Sequence, residues 1–123
     1  MKKQIKKNTL ANKKDISNLF NEGNSFQSYP FRIIWLENKV SEDIQFLIAV
    51  PKKKFKKAVD RNLIRRRLKE VFKQKVLPIY LKEKSISIVI TYIGDHLLDF
   101  NEAENKMIAT FSKFNSKYFK DEQ

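Results

Sequence analysis

A single small α+β sandwich is the fold class that the sequence predicts, and three observations predict it. Three stretches, 31–36, 44–50 and 85–93, are short and rich in β-branched and aromatic residues. Three others, near 12–22, 58–76 and 101–118, carry apolar residues at helical spacing. A chain of 123 residues with 41% apolar residues and ten Phe closes one modest core. No internal repeat or Ser/Gly linker divides it, so one domain over 1–123 is expected, in the order α-β-β-α-β-α. A further short strand has room in this order, but the pattern does not place it.

Residues 1–11 are basic and read as a flexible arm. Asn12-Lys13-Lys14-Asp15 then caps a short helix with Ile16, Leu19 and Phe20 on one face and Gly23 at its stop. Phe31 to Leu36 and Ile44 to Val50 read as two antiparallel strands, and the polar NKVSED between them is long enough for a hairpin loop. Pro30 stands at the start of the first, where its missing N–H costs least. From Ala58 to Val76, Ile64, Leu68, Val71 and Phe72 gather on one side of a helix, and Asn62, Arg65, Arg66, Lys69 and Lys73 on the other. Pro78 stops or bends it. SISIVITYI, residues 85–93, is mostly apolar and is expected at the centre of the sheet, covered on both faces. Asn101 with Glu104 three residues on suggests the cap of a last helix with Ala103, Met107, Phe111, Phe114 and Tyr118 as its apolar stripe.

The net charge of +12 is unevenly placed. Residues 52–75, KKKFKKAVDRNLIRRRLKEVFKQK, hold twelve Lys or Arg against Asp60 and Glu70, a local +10. Residues 1–14 add six Lys, and the rest of the chain is net −4. A concentrated basic surface on a slightly acidic body is the footprint of a polyanion binder. A solvated helix face would carry interspersed Glu for i,i+4 pairing, and this one has almost none. Arg forks and Lys point charges on a helix docked by its apolar side meet phosphates at fixed spacing, so RNA or DNA is the expected partner. DNA ranks lower, because no helix-turn-helix spacing is present. Membrane binding needs an apolar face beside the cations, and that face is committed to the core.

Other chemistries find little support. The absence of cysteine excludes disulfides and thiolate ligands and fits a cytoplasmic location. No apolar run of signal-peptide length follows the basic N-terminus, and IIWL and FLIAV fall far short of the roughly 20 residues of a membrane span. His96 is the one histidine and reads as a loop residue, while Gly23 and Gly94 are too isolated to cradle a phosphate. Asp95, Asp99, Glu102 and Glu104 fit neither a calcium loop nor a two-metal cluster, and acids at a helix start complement its dipole. No catalytic residue and no metal site is therefore expected in the protein itself.

The run VPKKKFKKAVDRNLIRRRLKEVF, residues 50–72, resembles the signature of the bacterial ribonuclease P protein component, where a Lys-Lys pair leads into A-x-x-R-N-R-[IV]-[KR]-R. Asp15 to Phe20, Gly23-x-Ser25-Phe26 and Phe31 are similar to that family's first helix and first strand, so the resemblance covers nearly the whole chain. It implies an α/β sandwich with a mixed sheet and a left-handed β-α-β crossover, ribosomal protein S5 domain 2-like, in which the basic helix is the crossover. It also implies a subunit of a ribonucleoprotein enzyme that removes the 5′ leader from precursor tRNA. There the RNA subunit, loaded with Mg²⁺, performs the hydrolysis, and the protein helps bind the leader. A structural ribosomal protein is the alternative that the same charge pattern would serve.

Carried over position by position, the resemblance assigns Lys53, Arg61, Asn62, Arg65, Arg66 and Lys69 to contact with the catalytic RNA, flanked by Lys52, Lys56 and Lys57. It assigns a leader cleft between the first helix and the sheet to Ile16, Phe20, Arg32 and Ile34. Arg32 and Ile34 alternate with Phe31, Ile33 and Trp35, so that one strand serves cleft and core on opposite faces. The chain departs from the family pattern in two places. Leu63 replaces the third residue of R-N-R while Arg67 adds a cation nearby, which implies a shifted RNA contact. At the cleft, Ile16 and Ile34 stand where the family often has aromatics, leaving Phe20 to stack.

Overall fold

The computed structural model describes residues 13–37, 44–81 and 84–118. The expected basic arm at 1–11 and the NKVSED loop lie outside the described residues. Helix α1 spans Lys13–Glu22, and strands β1, β2 and β3 span Asn24–Ser28, Phe31–Glu37 and Gln45–Ala49. Helix α2, Ala58–Val71, continues through a π-helical turn, Phe72–Val76, into the short α3, Leu77–Tyr80; β4 is Ile86–Tyr92 and α4 is Phe100–Tyr118. The unplaced short strand is thus β1, joined to β2 by a two-residue turn at the cis Tyr29-Pro30 bond.

The sheet order is β1-β2-β4-β3, with β4 antiparallel to β2 and parallel to β3. This corrects the expected hairpin: β2 and β3 do run in opposite directions, but β4 lies between them. The reason is burial. With both faces covered, as expected, β4 is the most apolar strand and takes a central place. Its Ile86, Ile88, Ile90 and Tyr92 join Phe31, Ile33, Trp35, Phe46 and Ile48 under α2 and α4. On the other face Val89 packs with Leu19 of α1, flanked by Ile16, Ile34, Leu36 and Leu47.

The hand of the β3-α2-β4 passage follows from one hydrogen bond. The Ile93 amide donates to the Pro30 carbonyl at 2.8 Å, continuing the register of Phe31 with Tyr92. Backbone polar groups of Val89 and Thr91 therefore turn to β2, and those of Ile88, Ile90 and Tyr92 turn to β3. The side chains of these last three lie on the α2 face. For L-residues this puts β3 to the right of an upward β4 seen from α2, and the crossover is left-handed, the rare hand.

Pro30 stands just before β2, as expected. Gly23 follows α1 as its stop, and the cause is close approach: a Cβ there would come within 2.4 Å of the Leu19 carbonyl and 3.0 Å of Ile34. The π-helical turn ends two residues before Pro78, which lacks an N–H and whose ring would crowd the carbonyl four residues back; the wider turn accommodates it. The cap of α4 is Asp99 rather than Asn101. The Glu102 amide donates to Asp99 Oδ1 at 2.8 Å, and the Asp99 amide donates to Glu102 Oε1 at 3.4 Å, a reciprocal capping box.

Tyr92 is wholly buried, and its hydroxyl donates to the His96 carbonyl at 2.7 Å. Burial pushes its phenol up from 10.0 to about 12. The unfolded chain ionises first, so the stability that Tyr92 contributes is full below pH 10 and is lost as pH rises toward about 12. Tyr92→Phe is expected to lose less stability than the parent between pH 9 and pH 11.5, measured by urea unfolding. Parallel declines would mean that the phenol is not held neutral by the fold.

Candidate nucleic-acid interface

The basic stretch is held at three points. Phe55, in the middle of KKKFKK, is buried and stacks on Tyr92 with ring centroids 6.0 Å apart. This pins the segment between β3 and α2 and leaves Lys52, Lys53, Lys54, Lys56 and Lys57 exposed. Arg61 Nη1 donates to the carbonyls of Phe55 at 2.7 Å and Lys56 at 3.0 Å, clamping the same segment onto the first turn of α2. Ile64, Leu68 and Val71 then dock α2 by its buried side.

Asn62, Arg66 and Lys69 are exposed on the opposite flank and Arg65 is half-buried there, its guanidinium donating to Asn62 Oδ1. Among the RNA-contact positions expected from sequence, Asn62, Arg65, Arg66 and Lys69 line one groove against β3. Lys52, Lys53, Lys56 and Lys57 sit on the preceding segment, and Arg61 braces it. Asp60 and Glu70 are the acids of this stretch, and Glu70 accepts from Gln74 rather than from a cation of the flank.

Arg67 departs from the expected shifted RNA contact. Its Nη1 donates to the Leu98 carbonyl, tying α2 to the segment before α4. This added cation is held by a backbone partner within the fold. Arg67→Ala is expected to lower stability by about 1.5–3 kcal/mol, the range for a hydrogen bond with a charged donor, and to leave the salt dependence of RNA binding unchanged. Urea unfolding alongside a salt titration reads both; a flattened salt slope would return Arg67 to the RNA surface.

At the α1 face, Ile16 and Ile34 are half-buried around Leu19 and Val89, whereas Phe20 and Arg32 are exposed. Arg32 Nε donates to Gln27 Oε1 at 3.4 Å across the β1–β2 pair. Sequence reasoning missed Gln27, because β1 itself was not placed. It missed the structural anchors Phe55 and Leu98 for another reason: their partners are remote in the chain. His96 lies in an exposed bend with Nε2 3.1 Å from Glu102 Oε2, beside the α4 cap. Among the described residues, no group of three or more His, Asp or Glu is placed to hold a metal ion, and no helix is long and apolar enough to cross a membrane.

A mixed four-stranded sheet, a left-handed crossover and a cationic flank on the crossover helix together define a small α+β protein with a surface suited to a polyanion. The Ribonuclease P family model matches residues 5–115, and the chain belongs to that family. Ribonuclease P protein components from two strains of Porphyromonas gingivalis are 32% and 31% identical over 100 residues, covering 76% of this chain and 72% of theirs. The RNase P protein of Staphylococcus aureus superposes with a TM-score of 0.71 at 21% identity, covering 87% of this chain and 94% of that one. That of Thermotoga maritima does so at 0.69 and 23%, covering 85% and 96%. Membership makes the chain a subunit of the ribonuclease P holoenzyme, associated with its RNA.

Proposed function

We propose that the chain works as one cytoplasmic RNA-binding domain that holds the catalytic RNA on the α2 flank and the 5′ leader of precursor tRNA on the α1 face of the sheet. The observation that carries this reading is the cationic flank itself: four polar or charged side chains on one rigid helix, with five lysines leading into it. Such a row neutralises phosphates and releases their counterions. Lys52, Lys53, Lys56, Lys57, Asn62, Arg65, Arg66 and Lys69 contact the RNA, and Arg61 positions the segment that presents the lysines. Phe20 stacks on an unpaired leader base, and Arg32 meets a leader phosphate. Mg²⁺ belongs to the RNA subunit, which supplies the hydrolysis, while the protein binds and orients the RNA partners.

Cleavage of a precursor tRNA by its cognate catalytic RNA at low Mg²⁺, with and without the protein, tests this. Stimulation is expected, and it should shrink when the leader is trimmed short. No stimulation, with tight binding to ribosomal RNA instead, would favour a structural ribosomal role.

A further inference from the structure

The flank of α2 meets the sheet edge at β3 in a groove of about 260 Å³. Phe46, Leu47 and Ile48 line it from the strand, and Asn62, Arg65, Arg66 and Lys69 line it from the helix. A phosphate uses only the charged side of such a groove and gains nothing from an apolar one. An occupant that uses both has an uncharged, largely apolar part joined to an anionic part. RNA presents that combination where a nucleotide is unstacked, since a base is flat and apolar on its faces and is flanked by phosphates. The groove is slightly smaller than the roughly 300–1,000 Å³ of drug-sized ligand sites and has room for one flat base. Arg65 is already oriented by Asn62, so a guanidinium plane stands ready for stacking at little ordering cost.

We infer that this groove takes a single unpaired nucleobase of the RNA subunit, with the base against the β3 side and its flanking phosphates on Arg66 and Lys69. The inference rests on α2 as the RNA-binding surface and adds the form of RNA that it meets: a bulged or single-stranded nucleotide rather than continuous duplex.

The chain has no cysteine, so Glu70→Cys, next to Lys69 on α2, carries a photo-crosslinker at one defined place. Bound to the full-length catalytic RNA, it is expected to crosslink at or beside one unpaired nucleotide. Removing that base while keeping its ribose and phosphate should weaken binding about tenfold and leave the log–log salt slope unchanged, because a base contact releases no counterion. Crosslinks spread over paired nucleotides would overturn the inference. So would equal affinity of the abasic RNA. In either case, Arg65→Ala with Lys69→Ala still weakening binding would leave the RNA-binding reading of α2 standing, whereas an unaffected double variant would overturn both. A crosslink suppressed more effectively by polyglutamate than by a uridine oligonucleotide of equal charge would make the occupant a peptide and overturn the inference likewise.

Discussion

Arg65→Ala combined with Lys69→Ala is expected to weaken binding to the catalytic RNA by on the order of ten- to a hundredfold and to flatten its log–log salt slope by about one. Both side chains line the same groove, and neither belongs to the buried face of α2. Their loss therefore removes the Arg65 stacking plane and the Lys69 phosphate contact without opening the core, and the urea midpoint should stay within the small range of surface substitutions. The salt titration is the deciding measurement. Weaker binding at an unchanged slope would mean that the two residues act through helix conformation; no weakening would mean that the RNA docks elsewhere.

Phe72→Ala is expected to be among the most damaging single changes, at about 3–5 kcal/mol out of a total of about 5–15 kcal/mol for a domain of this kind. Phe72 is wholly buried where α2 passes into the π-helical turn. Its ring lies 4.6 Å from that of Phe46 on β3 and 5.8 Å from that of Phe111 on α4, so it joins the crossover helix to both of its supports. Phe20→Ala provides the contrast: with 54% of Phe20 exposed, its loss should cost about 0.5 kcal/mol or less. Urea unfolding compares the two directly. Equal costs would mean that the packing assigned to Phe72 is wrong.

Local signals were read correctly where the responsible residues lie within a few positions of each other. The stripe of Ile64, Leu68, Val71 and Phe72 specified which side of α2 is buried, because helical periodicity is a property of one segment. The alternation of β2 separated Phe31, Ile33 and Trp35 from Arg32 and Ile34 for the same reason. The cap of α4 shows how a local signal is misread. Asp99 with Glu102 and Asn101 with Glu104 have identical spacing, and only the first pair is flanked by apolar Leu98 and Ala103, both buried, at the positions of a hydrophobic staple. That cue was present in the sequence.

The sequence by itself determined the charge asymmetry, the strands it marked, the faces of its helices and, through VPKKKFKKAVDRNLIRRRLKEVF, the family. These depend on residue types and short spacings. Tertiary structure alone decided that β4 separates β2 from β3, that Arg67 binds the Leu98 carbonyl and that β3 forms one side of a groove beneath Arg65. Each of these joins segments whose separation in the chain carries no pattern. Their pairing is set by which buried surfaces fit when the whole core closes, a property that no single stretch possesses.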